Sequence, residues 1–169
     1  MGETYKTEQL LTTNLFVNAS QVNTNIDDVI KFNLKEQLEG LCYEDGYIVK
    51  DSVEIISKSM GKIVVNDNVS SVSYSIKYRA EVISPSDGDI IQSYVSNINK
   101  MGIVSYIKLK EGDSSEESPM VIMVPKDYFD KSIYNLNDIN IGQKLNVQVI
   151  GSRTKYRSEK IQIIAKLTD

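Results

Sequence analysis

The 169-residue sequence contains no histidine, no tryptophan, three prolines and a single cysteine. Histidine is the commonest metal ligand and general base, so its absence removes the usual parts of a metal site or a nucleophile–base pair. The lone cysteine, Cys42, excludes an internal disulfide, and we expect it to be a buried small hydrophobe. A Gly-rich phosphate loop is absent as well. The chain is therefore predicted to have no catalytic residues, no metal ligands and no cofactor.

Long hydrophobic runs are also missing. No apolar run approaches the roughly 20 residues that a membrane span needs. The N-terminus, MGETYKTEQ, has neither the basic nor the apolar region of a secretory signal. Hydrophobic residues make up 41% of the chain and charged residues 25%, as in an ordinary globular protein with a packed core. We expect an intracellular protein with no membrane partner.

Charge is unevenly distributed along the chain. Residues 1–78 contain seven basic and eleven acidic residues, a net charge of −4, whereas residues 79–169 contain twelve of each sign. The acidic half is not expected to bind nucleic acid. One local cluster is basic, with only Glu159 opposing it. Its members are Arg153, Lys155, Arg157 and Lys160.

Residues 26 to 38 have the pattern of an amphipathic helix. Asn25 can cap the N-terminus, Asp27 and Asp28 lie in the first turn where the helix dipole favours anions, and Gly40 can end the helix. Five apolar side chains follow helical spacing: Ile26, Val29, Ile30, Leu34 and Leu38. One side of the helix is predicted to be buried as core and not to form a cofactor surface.

Several strands are predicted around this helix. Residues 5–23 contain a first strand region followed by a loop, and Glu44-Asp45-Gly46 is predicted to be the turn of a tight hairpin. Further strands are expected at three short runs: residues 53–56, 61–65 and 69–76. The first half, residues 1–78, is therefore predicted to be an α+β domain with one helix on a sheet face.

Two strand patterns separated by a turn predict the start of a small barrel. They cover residues 76–82 and 90–98, with the turn at residues 85–89, and Gly102 lies where such a barrel needs a bulge or a sharp bend. The remaining predicted parts are strands at 120–124, 145–149 and 161–167, a turn-rich loop at 108–119 and a short helical turn at 126–134. Residues 79–169 are thus predicted to be an all-β OB-fold barrel.

The barrel segment carries motifs that resemble a known family. Lys77-Tyr78-Arg79-Ala80, Pro85-Ser86-Asp87-Gly88-Asp89 and Asn99-Lys100-Met101-Gly102 are similar, in order and spacing, to motifs of the larger stalk subunit of multisubunit RNA polymerases. That family comprises the seventh subunit of eukaryotic RNA polymerase II and its archaeal counterpart. The likeness continues at Glu39-Gly40-Leu41-Cys42, with Gly46-Tyr47-Ile48, and at Ile150-Gly151-Ser152-Arg153.

The resemblance implies a non-catalytic stalk subunit of a DNA-directed RNA polymerase that supports transcription initiation and elongation. In such a subunit residues 1–78 are the tip domain that docks on the large subunits, residues 79–169 are a barrel near the RNA exit path that contacts nascent RNA, and a smaller stalk subunit completes a heterodimer. The phosphoryl-transfer residues would lie on other subunits. The residues assigned to core docking are Gly40, Cys42, Gly46 and Tyr47.

RNA contact by the barrel is expected to be mainly electrostatic. RNA-binding members of this barrel class usually have a Phe shortly after the Gly of the third strand, where this chain has Val104, and often a His near the region of Met123. A stacked base contributes about 1–3 kcal/mol that a valine cannot supply. Tyr94 and Tyr106 could substitute, although a strand tyrosine is more often half-buried packing. The residues assigned to RNA binding are Arg153, Lys155, Arg157, Lys160, Lys100 and Tyr106.

Other interpretations remain open from sequence alone. The chain could be a free-standing OB-fold RNA-binding module in translation or RNA decay, or a structural adaptor whose barrel has lost RNA contact. Asp87 and Asp89 could be a carboxylate pair for a divalent ion, but the surrounding sequence favours a turn. Abundant Ile, Asn, Lys and Tyr suggest an AT-rich genome, such as that of a large DNA virus with its own polymerase. A viral owner implies the cytoplasmic factory or the virion, and a cellular eukaryote implies the nucleus.

Overall fold

The computed structural model describes residues 5–23, 25–128 and 139–168. The chain divides into two compact units, neither of which is a continuous segment. The barrel unit consists of Met1–Thr7, Cys42–Tyr47 and Ile83–Asp169, and the helix unit consists of Glu8–Leu41 and Ile48–Val82. The sequence predicts two continuous segments, whereas in the structure the hairpin from the N-terminal half clusters with the barrel.

The helix unit contains the single α-helix of the described residues, α1 (Ile26–Leu38), which has the bounds that the sequence predicts. Its buried face is formed by Ile30, Leu34 and Leu38, and the side chain of Phe32 is 62% exposed on the other side. The predicted side-chain cap is wrong, because Asn25 makes no capping hydrogen bond with its side chain. Instead the carbonyl of Asn25 accepts from the backbone N–H groups of Asp28 and Val29.

Strands of the helix unit gather around one long strand, β6. The elements are β1 (Lys6–Asn18), followed by a 3₁₀ turn at Ala19–Gln21, β4 (Glu54–Lys58), β5 (Lys62–Asn66) and β6 (Val69–Ile83). β1 lies next to β6 in the sheet. β4 and β5 each pair with β6 in antiparallel orientation. Asp67 and Asn68, with φ of 50° and 65°, form the tight turn between β5 and β6, as expected for a two-residue hairpin loop. The two strand patterns predicted at 69–76 and 76–82 are thus one continuous strand.

Residues 42 to 48 form the predicted tight hairpin. β2 (Cys42–Tyr43) and β3 (Gly46–Ile48) pair antiparallel, with Cys42 opposite Tyr47 and Tyr43 opposite Gly46. The two residues between the strands, Glu44 and Asp45, are exposed. Gly46 has a φ of +131°, which explains the preference for glycine at this position.

Five strands of the barrel unit form a closed barrel in the order β10-β11-β9-β8-β7. They are β7 (Ile90–Asn99), β8 (Gly102–Tyr106), β9 (Met120–Pro125), β10 (Lys144–Arg153) and β11 (Ile161–Leu167). β11 and β9 pair in parallel, and the other neighbours pair antiparallel. This five-stranded closed barrel fits the predicted OB-fold. Of the helical turn predicted at 126–134, Lys126–Tyr128 is a 3₁₀ helix, and residues 129–134 lie outside the described residues.

The barrel core is built by alternation along each strand, because successive side chains point to opposite faces. Its buried side chains are Ile91, Val95, Ile103, Met120, Ile122, Val124, Leu145, Val147, Val149, Ile161, Ile163, Ala165 and Leu167. The buried hydroxyl of Ser118 accepts from the backbone N–H of Ile107 at 3.1 Å and donates to the carbonyl of Met120 at 2.8 Å. This side chain therefore replaces missing backbone partners between β8 and β9.

Gly102 forms the predicted sharp bend between β7 and β8. Its φ is +146°, and a Cβ atom added there would lie 2.1 Å from the carbonyl oxygen of Val124 on β9. The turn before it is stabilised by Asn99, whose side-chain oxygen accepts from the backbone N–H of Met101 at 2.8 Å. The close approach of β9 at this point excludes any side chain at residue 102.

Candidate nucleic-acid interface

Two connections of the barrel border the face on which oligonucleotides usually bind to OB-folds. That face is formed by the second and third strands and is edged by the loops between strands one and two and between strands four and five. In this barrel the strands are β8 and β9, and the edges are the β7–β8 turn at Lys100–Met101 and the β10–β11 loop at 154–160. The predicted RNA-binding residues lie on these edges, except Arg153 at the end of β10 and Tyr106 on β8.

Arg153 and Lys155 are the two exposed cations at the start of the β10–β11 connection. Arg153 is the last residue of β10 and pairs with Gln162 of β11, and Lys155 begins the loop. Both side chains are exposed, and neither forms an ion pair or a hydrogen bond within the described ranges. They are therefore available to an anionic ligand such as a phosphate group.

The other two basic side chains of the cluster contact this chain itself. The Nζ of Lys160 donates to the carbonyl of Ser115, 2.8 Å away, which ties the loop to the connection between β8 and β9. The guanidinium of Arg157 lies by the hydroxyl of Tyr43. Burial raises the pKa of Tyr43, and the positive charge of Arg157, together with a hydrogen bond from it, offsets part of that rise. The structure therefore divides the predicted cluster into two available cations and two engaged ones.

The β2–β3 hairpin fixes the backbone of the β10–β11 loop. The N–H of Cys42 donates to the carbonyl of Ser158 at 2.8 Å, and the N–H of Arg157 donates to the carbonyl of Cys42 at 2.7 Å. The rings of Tyr43 and Tyr156 meet edge to face, with centroids 5.3 Å apart at 88°, a favoured aromatic geometry. One residue of the hairpin thus satisfies backbone groups on two consecutive loop residues, and its neighbour packs on the loop's aromatic ring.

The thiol of Cys42 is buried in this contact, as expected. Cys42 is 0% exposed, so burial raises the pKa of its thiol, and a hydrogen bond with Ser158 offsets part of that rise. A thiol held neutral in this way is a poor nucleophile. Cys42 therefore acts as a small packing residue beneath the loop.

The residues assigned to core docking are all buried. Cys42 and Tyr47 are 0% and 3% exposed, and Gly40 and Gly46 are buried as well. Burial raises the pKa of the Tyr47 hydroxyl, with further contributions from Cys42 and Glu159. These four residues therefore contribute to packing. Within the hairpin the exposed residues are the two acidic residues of its turn. Their assignment to docking stays a prediction.

Lys100 and Tyr106 have different surroundings. Lys100 is exposed in the β7–β8 turn. Tyr106 is half-buried and lies across from Tyr94, with ring centroids 6.0 Å apart, and the Nζ of Lys108 lies 4.3 Å from the centre of the Tyr94 ring. This cation–π cluster already occupies Tyr94. On the neighbouring part of the face Val104 pairs with Met123 of β9.

Tyr156 is the residue of this interface that sequence reasoning missed. Its side chain is 76% exposed, and it lies between Lys155 and Arg157 in the loop. An aromatic residue interleaved with basic residues is itself a sequence signal for single-stranded nucleic acid. The signal is present in the sequence, but it lies in a loop, whereas the usual stacking aromatics of this barrel class lie on the strands.

No alternative site for metal or substrate chemistry emerges from the described residues. Within them no group of three His, Cys, Asp or Glu side chains could hold a metal ion. Asp89 instead closes the predicted turn, because its carboxylate accepts from the N–H of Ser86 at 2.8 Å. Nor is any helix in the described ranges long and apolar enough to cross a membrane. A cleft of about 270 Å³ in the helix unit is lined by Lys31, Lys35 and residues 53–55.

The chain is similar to subunits of DNA-directed RNA polymerases. It is 27% identical over 161 residues to a protein of Acanthamoeba polyphaga mimivirus named as DNA-directed RNA polymerase subunit L376, covering 89% of this chain and 75% of that protein. It is 28% identical over 155 residues to the RNA polymerase II subunit rpb7 of Schizosaccharomyces pombe, covering 85% of each chain. With RPB7 of Glycine max it is 29% identical over 94 residues, which cover 55% of this chain and 52% of that one.

Two of these relatives carry the RPB7 name, so the resemblance found in the motifs is confirmed as a similarity to RPB7 subunits. No protein-family model matches the sequence. Among solved structures, an uncharacterized protein of Methanocaldococcus jannaschii aligns with 51% of this chain and 96% of that one, at 19% identity and a TM-score of 0.36. That score is too low to support a shared fold.

Proposed function

We propose that this chain is a non-catalytic stalk subunit of a DNA-directed RNA polymerase, which docks on the core enzyme and contacts nascent RNA near the exit path. The observation that carries the proposal is the similarity to a named polymerase subunit over 89% of the chain. The closed barrel with two available cations on an oligonucleotide-binding edge supports the RNA contact. In this role the subunit supports transcription initiation and elongation, while other subunits perform phosphoryl transfer.

The proposed partners are the large polymerase subunits and a smaller stalk subunit that forms a heterodimer with this chain. Residues 1–78 are proposed to dock on the core. Because Gly40, Cys42, Gly46 and Tyr47 are buried, their contribution to docking would be to hold the shape of the hairpin. The similarity to a mimivirus subunit supports a viral owner, in which case the protein would work in the cytoplasmic factory or the virion; in a cellular eukaryote it would work in the nucleus.

Arg153 and Lys155 are the proposed phosphate contacts, with Lys100 on the other edge of the same face. Each phosphate neutralised on a single strand contributes roughly 0.7 to the slope of log affinity against log salt. Arg157 and Lys160 would contribute less, because their side chains are already engaged by Tyr43 and the carbonyl of Ser115. Removing the two available cations should therefore lower the slope by about 1.4.

The experiment begins with affinity purification of the tagged chain and continues with a salt titration of single-stranded RNA binding by the assembled polymerase. Wild type is compared with Arg153→Ala/Lys155→Ala. The matched control is Lys144→Ala/Lys166→Ala, which removes the same charge from two exposed positions of the barrel unit outside the β10–β11 loop. We expect large polymerase subunits in the purified complex, a slope lower by about 1.4 in the loop variant, and the wild-type slope in the control.

Two results would contradict the proposal at different points. Recovery of ribosomes or nucleases in place of polymerase subunits would favour a free-standing RNA-binding module. Recovery of the polymerase with identical slopes for wild type and the loop variant would leave a subunit whose barrel is a scaffold without RNA contact.

A further inference from the structure

Tyr156 occupies the apex of a tight turn in the β10–β11 loop. The turn is closed by the N–H of Ser158, which donates to the carbonyl of Lys155 at 3.0 Å. Tyr156 and Arg157 are its two central residues, and Arg157 has a φ of +64°. A positive φ at the second central position is typical of a type II turn. Tyr156 is therefore the first of the two residues at the tip of this turn.

The ring of Tyr156 is held in place although it is exposed. Its contact with Tyr43 is edge to face, at 5.3 Å and 88°, and the backbone of the next two residues is fixed by the two hydrogen bonds to Cys42. Yet 76% of the side chain remains accessible to solvent. An edge contact of this kind leaves ring surface uncovered. A rigid exposed aromatic loses little conformational entropy when a planar ligand group stacks on it.

The charges around the ring indicate which ligand would stack there. Lys155 precedes Tyr156, Arg157 follows it, and Arg153 lies three residues before it at the end of β10. Single-stranded nucleic acid is bound by this combination of a cationic track for the phosphates and an aromatic ring for the bases. A protein partner would not require the cations to alternate with the aromatic residue.

We propose that Tyr156 is the base-stacking residue for single-stranded RNA on this barrel. It would take the role that Val104 cannot perform on β8. The proposal rests on the RNA contact proposed above and adds to it a non-electrostatic part, located at the apex of the β10–β11 loop. Tyr43 is a positioning residue in this arrangement, because it orients the Tyr156 ring.

Stacking and phosphate contact have separable signatures. Loss of one stacked base weakens binding by roughly 5- to 150-fold, which corresponds to about 1–3 kcal/mol. It does so at every salt concentration, because no phosphate contact and no counterion release is involved. Removal of Tyr156 should therefore lower the affinity and leave the salt slope unchanged, whereas removal of Arg153 and Lys155 should change the slope.

The test uses the purified full-length chain with a single-stranded RNA oligomer and with an abasic ribose-phosphate oligomer of equal length. Tyr156→Ala should bind RNA roughly 5- to 150-fold more weakly than wild type with an unchanged slope, and the abasic oligomer equally well. Tyr156→Phe should keep the wild-type affinity. Phe32→Ala, which truncates an exposed aromatic side chain of the helix unit, is the matched control and should bind as wild type.

Tyr156→Trp provides a direct reading of the contact. The sequence contains no tryptophan, so this variant carries a single indole reporter at the proposed stacking position. We expect RNA to quench its fluorescence and the abasic oligomer to leave it unchanged.

The possible failures are distinguishable. If wild type binds RNA, Arg153→Ala/Lys155→Ala lowers the slope and Tyr156→Ala binds as wild type, the stacking role is wrong and the phosphate contact stands. If wild type does not bind RNA at any salt concentration, the proposed RNA contact and the stacking role are both overturned.

Discussion

Replacing Gly102 by alanine should destabilise the barrel more than the same replacement at Gly88 or Gly151, because two separate costs coincide at residue 102. Its φ of +146° is a backbone conformation that a residue with a Cβ rarely adopts, and the added Cβ would lie 2.1 Å from the carbonyl oxygen of Val124. The neighbour is backbone of an adjacent barrel strand and cannot turn away as a side chain can. Either β8 or β9 must move.

The magnitude follows from the two costs. A residue held in a sparsely populated backbone region costs about 1–3 kcal/mol, and overpacking a well-packed core costs typically 1–3 kcal/mol. The lower entropy of the unfolded chain with alanine returns about 0.4–1 kcal/mol. The expected net loss for Gly102→Ala is therefore about 1–6 kcal/mol, a large part of the roughly 5–15 kcal/mol by which folded domains are stable.

The two other glycines separate the costs. Gly88 has a φ of +91° with nothing within 4 Å of the added Cβ, and Gly151 has no positive φ and equally open space. Gly88→Ala should therefore lose only about 1–2 kcal/mol from backbone strain, and Gly151→Ala should be neutral or slightly stabilising. The three variants form a series in which steric overlap is present only at residue 102.

Urea denaturation followed by far-UV circular dichroism measures the series. With a slope of about 2 kcal/mol per molar urea, Gly102→Ala should lower the unfolding midpoint by about 0.5–3 M, and Gly88→Ala by less than about 1 M. Equal midpoints for Gly102→Ala and Gly88→Ala would refute the reasoning, since the approach of β9 would then have no energetic consequence.

Two further predictions concern buried groups of the barrel unit. Burial raises the pKa values of Cys42, Tyr43 and Tyr47. A group whose pKa is raised in the folded state makes its full contribution to stability below its unfolded pKa, and this contribution is lost as the pH rises from the unfolded pKa through the folded one. The melting temperature should therefore be constant up to about pH 9.0, the ordinary pKa of a thiol, and decline above it. The decline should be less steep in Cys42→Ala. A wild-type melting temperature that stays constant through pH 10 would contradict this prediction. Ser118→Ala should lower the free energy of unfolding by about 1–3 kcal/mol, because it leaves the N–H of Ile107 buried without its partner. The control Ser86→Ala, at an exposed position, should stay within about 0.5 kcal/mol of wild type. Equal melting temperatures for the two variants would show that the Ser118 hydroxyl is not needed.

Elements that depend on local pattern were predictable from the sequence. The helix at Ile26–Leu38 follows from the spacing of its apolar residues, and the hairpin follows from the Asp-Gly signal between two apolar runs. Gly102 was recognised as a bend because a glycine between a strand signal and a turn has few other uses in a small barrel. These signals reside in short consecutive segments, so tertiary context did not override them.

Features that depend on distant parts of the chain were not predictable. Cys42 and the segment at 157–158 are far apart in the sequence, yet they share two backbone hydrogen bonds. No pattern in either segment signals this contact. For the same reason proximity in sequence places Arg157 and Lys160 in one cluster with Arg153 and Lys155, although the side chains of Arg157 and Lys160 contact Tyr43 and the carbonyl of Ser115.

The contact between hairpin and loop determines how docking and RNA binding must be tested separately. Cys42 uses both its N–H and its carbonyl on the β10–β11 loop, so a change that distorts the hairpin also displaces the turn that presents Tyr156. A hairpin variant that impairs docking is therefore expected to impair RNA binding as well, even if the two surfaces never share a ligand. Variants at Arg153, Lys155 and Tyr156 do not have this ambiguity, because their exposed side chains can be removed while both hydrogen bonds of Cys42 remain. For this reason the loop side chains, and not the hairpin, are where an RNA role of this barrel can be isolated from its assembly.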